Sequence, residues 1–263
     1  MEVLTPRSLD EALRFKAEQP ESVPLQGGTD LLVELNFDRR RPETILNLCE
    51  VEELRGWSRE NGAIRLGAAL TYTEAMERPL AEISPVLAEA ARTVGSPQIR
   101  NRGTLGGNLG TASPAGDAIP PLLVQEAEVE LQSVRGMRRM SLTEFLVGPK
   151  RNALEADELI TAAVVQPARD AQTFMKVGPR NAMVIAVCSL AVAVDREGGE
   201  VRASFGSAGP VPSLVRMPLD EASALPERVR SAASPIDDVR GTAAYRRHAL
   251  GVLATRALER CLA

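Results

Sequence analysis

Ile99-Arg100-Asn101-Arg102-Gly103-Thr104-Leu105-Gly106-Gly107-Asn108-Leu109-Gly110-Thr111-Ala112-Ser113-Pro114-Ala115-Gly116-Asp117 is the stretch on which the reading of this 263-residue chain turns. Closely spaced glycines alternate with Thr, Asn and Ser, and the run ends in an acid, the pattern of a loop wrapped around a phosphorylated ligand. Glycine admits positive φ and carries no Cβ, so successive amide N–H groups can converge on phosphate oxygens. A second segment of this kind lies upstream at Gln26-Gly27-Gly28-Thr29-Asp30-Leu31-Leu32. Either one alone is an ordinary turn. Two of them, each after a short apolar run and each with hydroxyl or amide side chains, predict a nucleotide cofactor. No Gly-Lys-Ser/Thr follows either segment and neither spells Gly-x-Gly-x-x-Gly, so the two commonest phosphate motifs are not used.

The flanking sequence predicts what carries these segments. Ser8-Leu9-Asp10-Glu11 has the form of a capping box, which starts a helix running from about Leu9 to Glu18. Leu31 to Leu35 continues the first glycine turn as a short apolar element, and Thr44 to Leu48 reads as a strand, giving a small mixed unit. Ala63 to Ala68 alternates like a strand, and Thr71-Tyr72-Thr73-Glu74 is a second capping box. A helix from about Ser84 to Thr93, with Pro85 at its first position, delivers the chain to the long glycine segment. Beyond Asp117, Ile119 to Gln125 reads as helix, Glu128 to Gln132 as strand, Ser141-Leu142-Thr143-Glu144 as a helix start and Leu159 to Val165 as an apolar strand. The texture changes at Pro167-Ala168-Arg169-Asp170, which predicts a boundary. Thr173 to Val177, Val184 to Val194 and Val201 to Gly206 then predict an antiparallel sheet with a Gly198-Gly199 hairpin turn. In the tail, Leu250, Leu253, Ala254, Ala257, Leu258 and Cys261 fall on one helical face, a stripe that packs on its own domain or serves a partner.

Composition narrows the function. With 44% hydrophobic residues the chain can build a real core, and a net charge of −4 with 3% aromatic residues gives no footing for a nucleic-acid surface or a base-stacking platform. Arg39-Arg40-Arg41 and Arg138-Arg139 read as solvated loop charges. Three scattered cysteines, Cys49, Cys188 and Cys261, form neither a disulfide framework nor a metal site. The lone His248 sits beside Arg246 and Arg247 in a helical pattern and reads as exposed. The first residues lack the basic and apolar regions of a leader, and no run is apolar enough to span a bilayer, so a cytoplasmic location is expected.

Three segments together are similar to the FAD-binding medium subunit of molybdenum hydroxylases, the family of the xanthine dehydrogenase and aerobic carbon monoxide dehydrogenase flavoproteins. They are Gly27 to Leu32, Gln98 to Leu109, and Ala112-Ser113-Pro114-Ala115-Gly116-Asp117. Asp157 to Ile160, Lys176 to Arg180, Gly206 to Pro212 and Arg240 to Arg247 match in the same order, so the resemblance spans nearly the whole chain. It implies an α+β protein: a two-lobed FAD-binding domain of the vanillyl-alcohol-oxidase (PCMH) type over residues 1–167, with lobes of about 1–55 and 56–167. A C-terminal domain over 168–263 would combine a three-stranded antiparallel sheet with a helical bundle. It further implies an electron-transfer role: FAD takes electrons from [2Fe-2S] clusters in a small partner subunit and passes them to NAD+, oxygen or a quinone. A large partner subunit holds the molybdenum cofactor. This chain has no cysteine pattern for iron–sulfur ligation of its own.

Carried over residue by residue, the resemblance places Gly27, Gly28, Thr29 and Asp30 at the pyrophosphate, with Leu31 beside them as a further cofactor-binding residue, Thr104, Gly106, Gly107 and Asn108 as the opposite wall and Ser113 nearby. It gives Asp117 the ribityl or ribose hydroxyls, Ile160 an apolar contact to the adenine or isoalloxazine end, and Lys176 a place near the flavin ring. A surface lysine at a strand end is the plain alternative for Lys176. No aromatic near Val94 takes the place of a stacking Phe, and neither glycine segment holds His or Cys, so the flavin is expected to be held noncovalently. No metal ligands and no acid–base residues are expected. The competing reading is a free-standing FAD oxidoreductase acting directly on a small substrate. Such an enzyme would need proton-transfer groups, for which almost only Tyr72 and Tyr245 are available.

Overall fold

A computed structural model describes residues 1–263, and four sheets organise it. The first is parallel, with Thr44–Asn47 between Glu2–Leu4 and Val23–Leu25. Parallel strands need crossover connections, and the helices Leu9–Glu18 and Leu31–Asn36 supply them. The helix at Leu9 begins where the sequence predicts, with Ser8 Oγ accepting from Glu11 N. The short apolar element after the first glycine turn is the helix Leu31–Asn36.

The second sheet is antiparallel, in the order Trp57–Glu60, Ala63–Gly67, Leu159–Val165, Glu128–Ser133, Gly136–Ser141. Two of its strands lie outside the sequence reading. Trp57–Glu60 pairs through a tight turn at Asn61 (φ 51) and Gly62 (φ 85), the Asn-Gly signature of a two-residue hairpin. Gly136–Ser141 carries Arg138 and Arg139, which correct the reading of those residues as solvated loop charges. Arg138 pairs with Glu158 at 2.6 Å and Arg139 with the buried Glu130 at 2.7 Å. Arg39, Arg40 and Arg41 are exposed, as expected. A small ribbon, Leu146–Gly148 with Arg151–Asn152, is the fourth sheet.

The C-terminal sheet runs Gln172–Val177, Cys188–Asp195, Glu200–Gly206, Ser213–Pro218. It therefore has four strands where three were expected. The fourth follows Pro210 and Pro212, which mask it, and it lies at the edge, where its terminal Pro218 costs no ladder bond. The strand Cys188–Asp195 is buried along its whole length because both of its faces are covered. Cys188, Leu190, Val192 and Val194 pack against the helices Leu225–Ala232 and Ala243–Leu262. Ala191 and Ala193 pack the other way, with Val86, Ala90 and Val124 of the helices Pro85–Thr93 and Ile119–Val124. The tail stripe of Leu250, Leu253, Ala254, Ala257, Leu258 and Cys261 is buried against this sheet, and His248 is exposed.

Candidate FAD site

The two glycine segments meet. Gly27 lies against Arg102 so closely that a Cβ would sit 1.8 Å from the Arg102 carbonyl oxygen, and Gly28 has φ +74, a left-handed value that favours glycine. Asp30 Oδ2 accepts from Thr111 Oγ1 at 2.7 Å and ties the first turn to the end of the second segment.

The second segment differs from the expected loop. Residues Leu105–Thr111 form a seven-residue helix with Thr104 as its N-cap. Gly106 serves close packing here. A Cβ on Gly106 would meet the Ala68 Cβ at 2.7 Å and its carbonyl at 2.8 Å. The amides are consumed inside the chain: Leu105 N donates to Leu70 O, Gly106 N to Ala68 O, Gly107 N to Thr104 Oγ1 and Asn108 N to Thr104 O. By contrast, the N–H groups of Gly27, Gly28, Thr29, Asp30 and Leu31 donate no hydrogen bond within the chain. The oriented donors therefore come from the first turn, and the second segment contributes a wall that lies close to it.

Two adjoining cavities lie between these walls. One, of about 440 Å³, is lined by Gly27 to Leu31 on one side and by Tyr72, Thr104, Asn108, Ser113 and Asp117 on the other. The second, of about 390 Å³, has apolar walls at Leu48, Leu54, Ala68, Leu159 and Ile160. Gln26, Asp30, Leu31, Gly107, Thr111 and Lys150 border both, so the two form one groove. Ile160 belongs to the apolar end, apart from Asp117. Ser113 Oγ accepts from Ala115 N at 3.3 Å.

Asp117 and Lys176 form a buried pair. Lys176 Nζ lies 2.6 Å from Asp117 Oδ2 and 3.2 Å from Thr93 O, with the lysine side chain 5% exposed. Lys176 is thus no surface lysine: it is anchored from the C-terminal sheet onto the acid of the glycine segment. Burial raises the Asp117 carboxyl to about 6 although the lysine ammonium pulls it down. Asp117 Oδ1 is buried without a partner, as are Asn108 Oδ1 and Gln26 Oε1. Buried polar atoms are normally paired, so three orphaned acceptors around one groove, facing five free donors, mark a site made for a ligand rich in both.

Those features fit FAD. The free amides suit the pyrophosphate, the orphaned oxygens suit hydroxyl and amide donors, and the apolar end suits a flat heteroaromatic ring. Sequence reasoning left out Tyr72, Lys150 and Gln26 as lining residues. Gln26 stands beside the first glycine pair and was within reach, but Tyr72 and Lys150 are far from both motifs and only the packing brings them in.

Comparison with known proteins agrees. A family model described as the FAD binding domain in molybdopterin dehydrogenase matches residues 1–167. The chain belongs to this family and is an oxidoreductase subunit of the molybdenum hydroxylases. It is 38% identical to the nicotinate dehydrogenase FAD-subunit of Eubacterium barkeri over 75% of this chain and 70% of that protein. It is 31% identical to the carbon monoxide dehydrogenase medium chain of Afipia carboxidovorans, over 98% of this chain and 95% of the relative. In fold it matches a solved chain of carbon monoxide dehydrogenase from Hydrogenophaga pseudoflava with a TM-score of 0.91 at 24% identity, covering 100% of this chain and 97% of that one. No helix is long and apolar enough to cross a membrane.

Proposed function

We propose that this chain binds FAD noncovalently in the groove and relays electrons through it. In this reading electrons arrive from [2Fe-2S] clusters of a small partner subunit, after substrate oxidation at a molybdenum cofactor in a large one, and leave to NAD+, oxygen or a quinone. The observation that carries it is the run of five unengaged amides at Gly27 to Leu31 set across one groove from the buried, unpaired oxygens of Asn108 and Asp117. Kinship to proteins named as FAD subunits and medium chains of such dehydrogenases supports it.

When bound, FAD supplies the redox chemistry, and the chain binds, orients and tunes it. Gly27, Gly28, Thr29, Asp30 and Leu31 would hold the pyrophosphate, each charge-assisted bond contributing roughly 1.5 to 3 kcal/mol. Thr104, Gly106, Gly107, Asn108 and Ser113 would close the opposite wall. Asp117 would accept from a ribityl or ribose hydroxyl, Ile160 would cover the adenine or isoalloxazine end, and Lys176 would place its charge near the flavin ring. Residues 1–167, with lobes of about 1–55 and 56–167, would form the FAD domain, and residues 168–263 would form the unit that brings Lys176 to it. In support of NAD+ among these acceptors, whose pyrophosphate is anionic, a recess of about 770 Å³ beside Lys176 is lined by Arg92, Arg100 and Arg180 and by no carboxylate.

The test is an absorbance spectrum of the gently purified protein from 300 to 600 nm, with FAD assayed after heat release. Flavin bands and free FAD in the supernatant are expected, and Gly107→Val with Asn108→Ala should abolish both. A protein that stays colourless even after incubation with FAD would sink the reading.

A further inference from the structure

Resting on the FAD reading above, we propose that Tyr72 is a cofactor-binding residue whose hydroxyl donates a hydrogen bond to the pyrophosphate of FAD. Tyr72 begins the short helix Tyr72–Ala75, capped by Thr71 and Glu74, and its backbone N–H donates to Gly103 O at 3.1 Å. An antiparallel bridge between Thr71 and Thr104 fixes this segment to the second glycine wall. Its ring packs under Gly103, where a Cβ would lie 3.2 Å from two ring carbons. Gly103 and Arg102 in turn abut Gly27, so the phenol stands one layer behind the start of the amide turn.

The side chain is 6% exposed and lines the 440 Å³ cavity, yet its hydroxyl makes no hydrogen bond within the chain. The ring is buried while the hydroxyl, which is not among the enclosed unpaired atoms, opens onto the cavity, where it is free to donate to a ligand. Three observations fit that group to the pyrophosphate. The amides of Leu105, Gly106, Gly107 and Asn108 are all consumed within the chain, so a donor from the head of this helix must be a side chain. Thr104 Oγ1 accepts from Gly107 N as the helix cap and keeps its own proton, so it can donate beside Tyr72, while Lys150 stands exposed at the rim. Finally, burial and the neighbouring carboxylates of Asp117 and Asp30 all disfavour the phenolate, so the group remains a donor through the neutral range.

The experiment compares the full-length wild type with Tyr72→Phe, which keeps the ring and removes only the hydroxyl. Cofactor is stripped, FAD affinity is measured by flavin fluorescence, and ADP affinity by displacement. FAD and ADP should both weaken about tenfold or more, the loss of one hydrogen bond to a charged group. The thermal midpoint of the cofactor-free protein should be unchanged. Unaltered FAD affinity in the variant overturns the inference and leaves the FAD reading intact. Weaker FAD with unaltered ADP also overturns it, because the contact would then lie on the ribityl side. A wild type that takes up no FAD removes the reading itself and the inference with it.

Discussion

Asp117 shows how burial by the fold sets the charge of one residue. Its carboxyl is buried and raised to about 6, against an ordinary value of 3.8. In the folded state the group therefore holds a proton over a pH range where the unfolded chain has released it. The folded state binds more protons between pH 4 and 6, so this group's contribution to stability falls as pH rises through that window and is flat above it. A shift of this size corresponds to about 2 to 3 kcal/mol. Urea unfolding of cofactor-free wild type and Asp117→Asn at pH 4, 5, 6 and 7 should show the difference between them changing by that amount, with wild type losing ground as pH rises. A constant difference would mean that Asp117 ionises normally. Other carboxylates titrate in both proteins and cancel.

At the scale of elements, the helix Leu105–Thr111 joins the two roles of the second glycine segment. A seven-residue helix has little stability of its own and depends on its cap and its packing. Thr104 supplies the cap through Gly107 N, and Gly106 allows the first turn to lie directly on Ala68. Thr104→Ala should lower stability by about 1 kcal/mol, with Thr104→Ser restoring most of it. FAD affinity should follow the same order, because the cap holds the wall in place. A variant that lost stability and kept its FAD affinity would show that the wall tolerates fraying.

Over the whole molecule, Arg246 is the largest fully buried side chain and ties separate segments together. Its guanidinium donates to Val187 O at 3.0 Å and Ser207 O at 2.6 Å and pairs with Asp238. The segment it holds through Val187 runs back to Lys176, so the clamp steadies the strand whose Lys176 pairs with Asp117. Removing a buried partner of a charged network leaves unpaired groups behind, and Arg246→Ala should cost about 3 to 5 kcal/mol in denaturant unfolding. Arg246→Lys should recover little, since a single ammonium cannot reproduce the planar fork. Full recovery by lysine would show that charge alone matters there.

Local pattern was enough for the capped helices at Ser8, Thr71 and Ser141, the helix opened by Pro85, the strands at Ala63, Glu128 and Leu159, the tail stripe, and the residues that crowd together at the two glycine segments. These features depend on neighbours in sequence, whose caps, periodicity and lack of Cβ act over a few residues. The strand Trp57–Glu60 was also legible, from Asn61-Gly62. Other features were decided only when distant segments packed. They include the helical state of Leu105–Thr111, the fourth C-terminal strand, the pairing of Arg138 and Arg139 with Glu158 and Glu130, and the arrival of Tyr72 and Lys150 at the groove. Which amides stay free is likewise a tertiary outcome. The glycines at 27 and 28 and those at 106 and 107 look alike in sequence, but Ala68 and Leu70 supply carbonyls to the second segment alone. A hydrogen-bond donor is available to a ligand only where no buried acceptor within the chain has already claimed it, and that depends on what lies opposite in space.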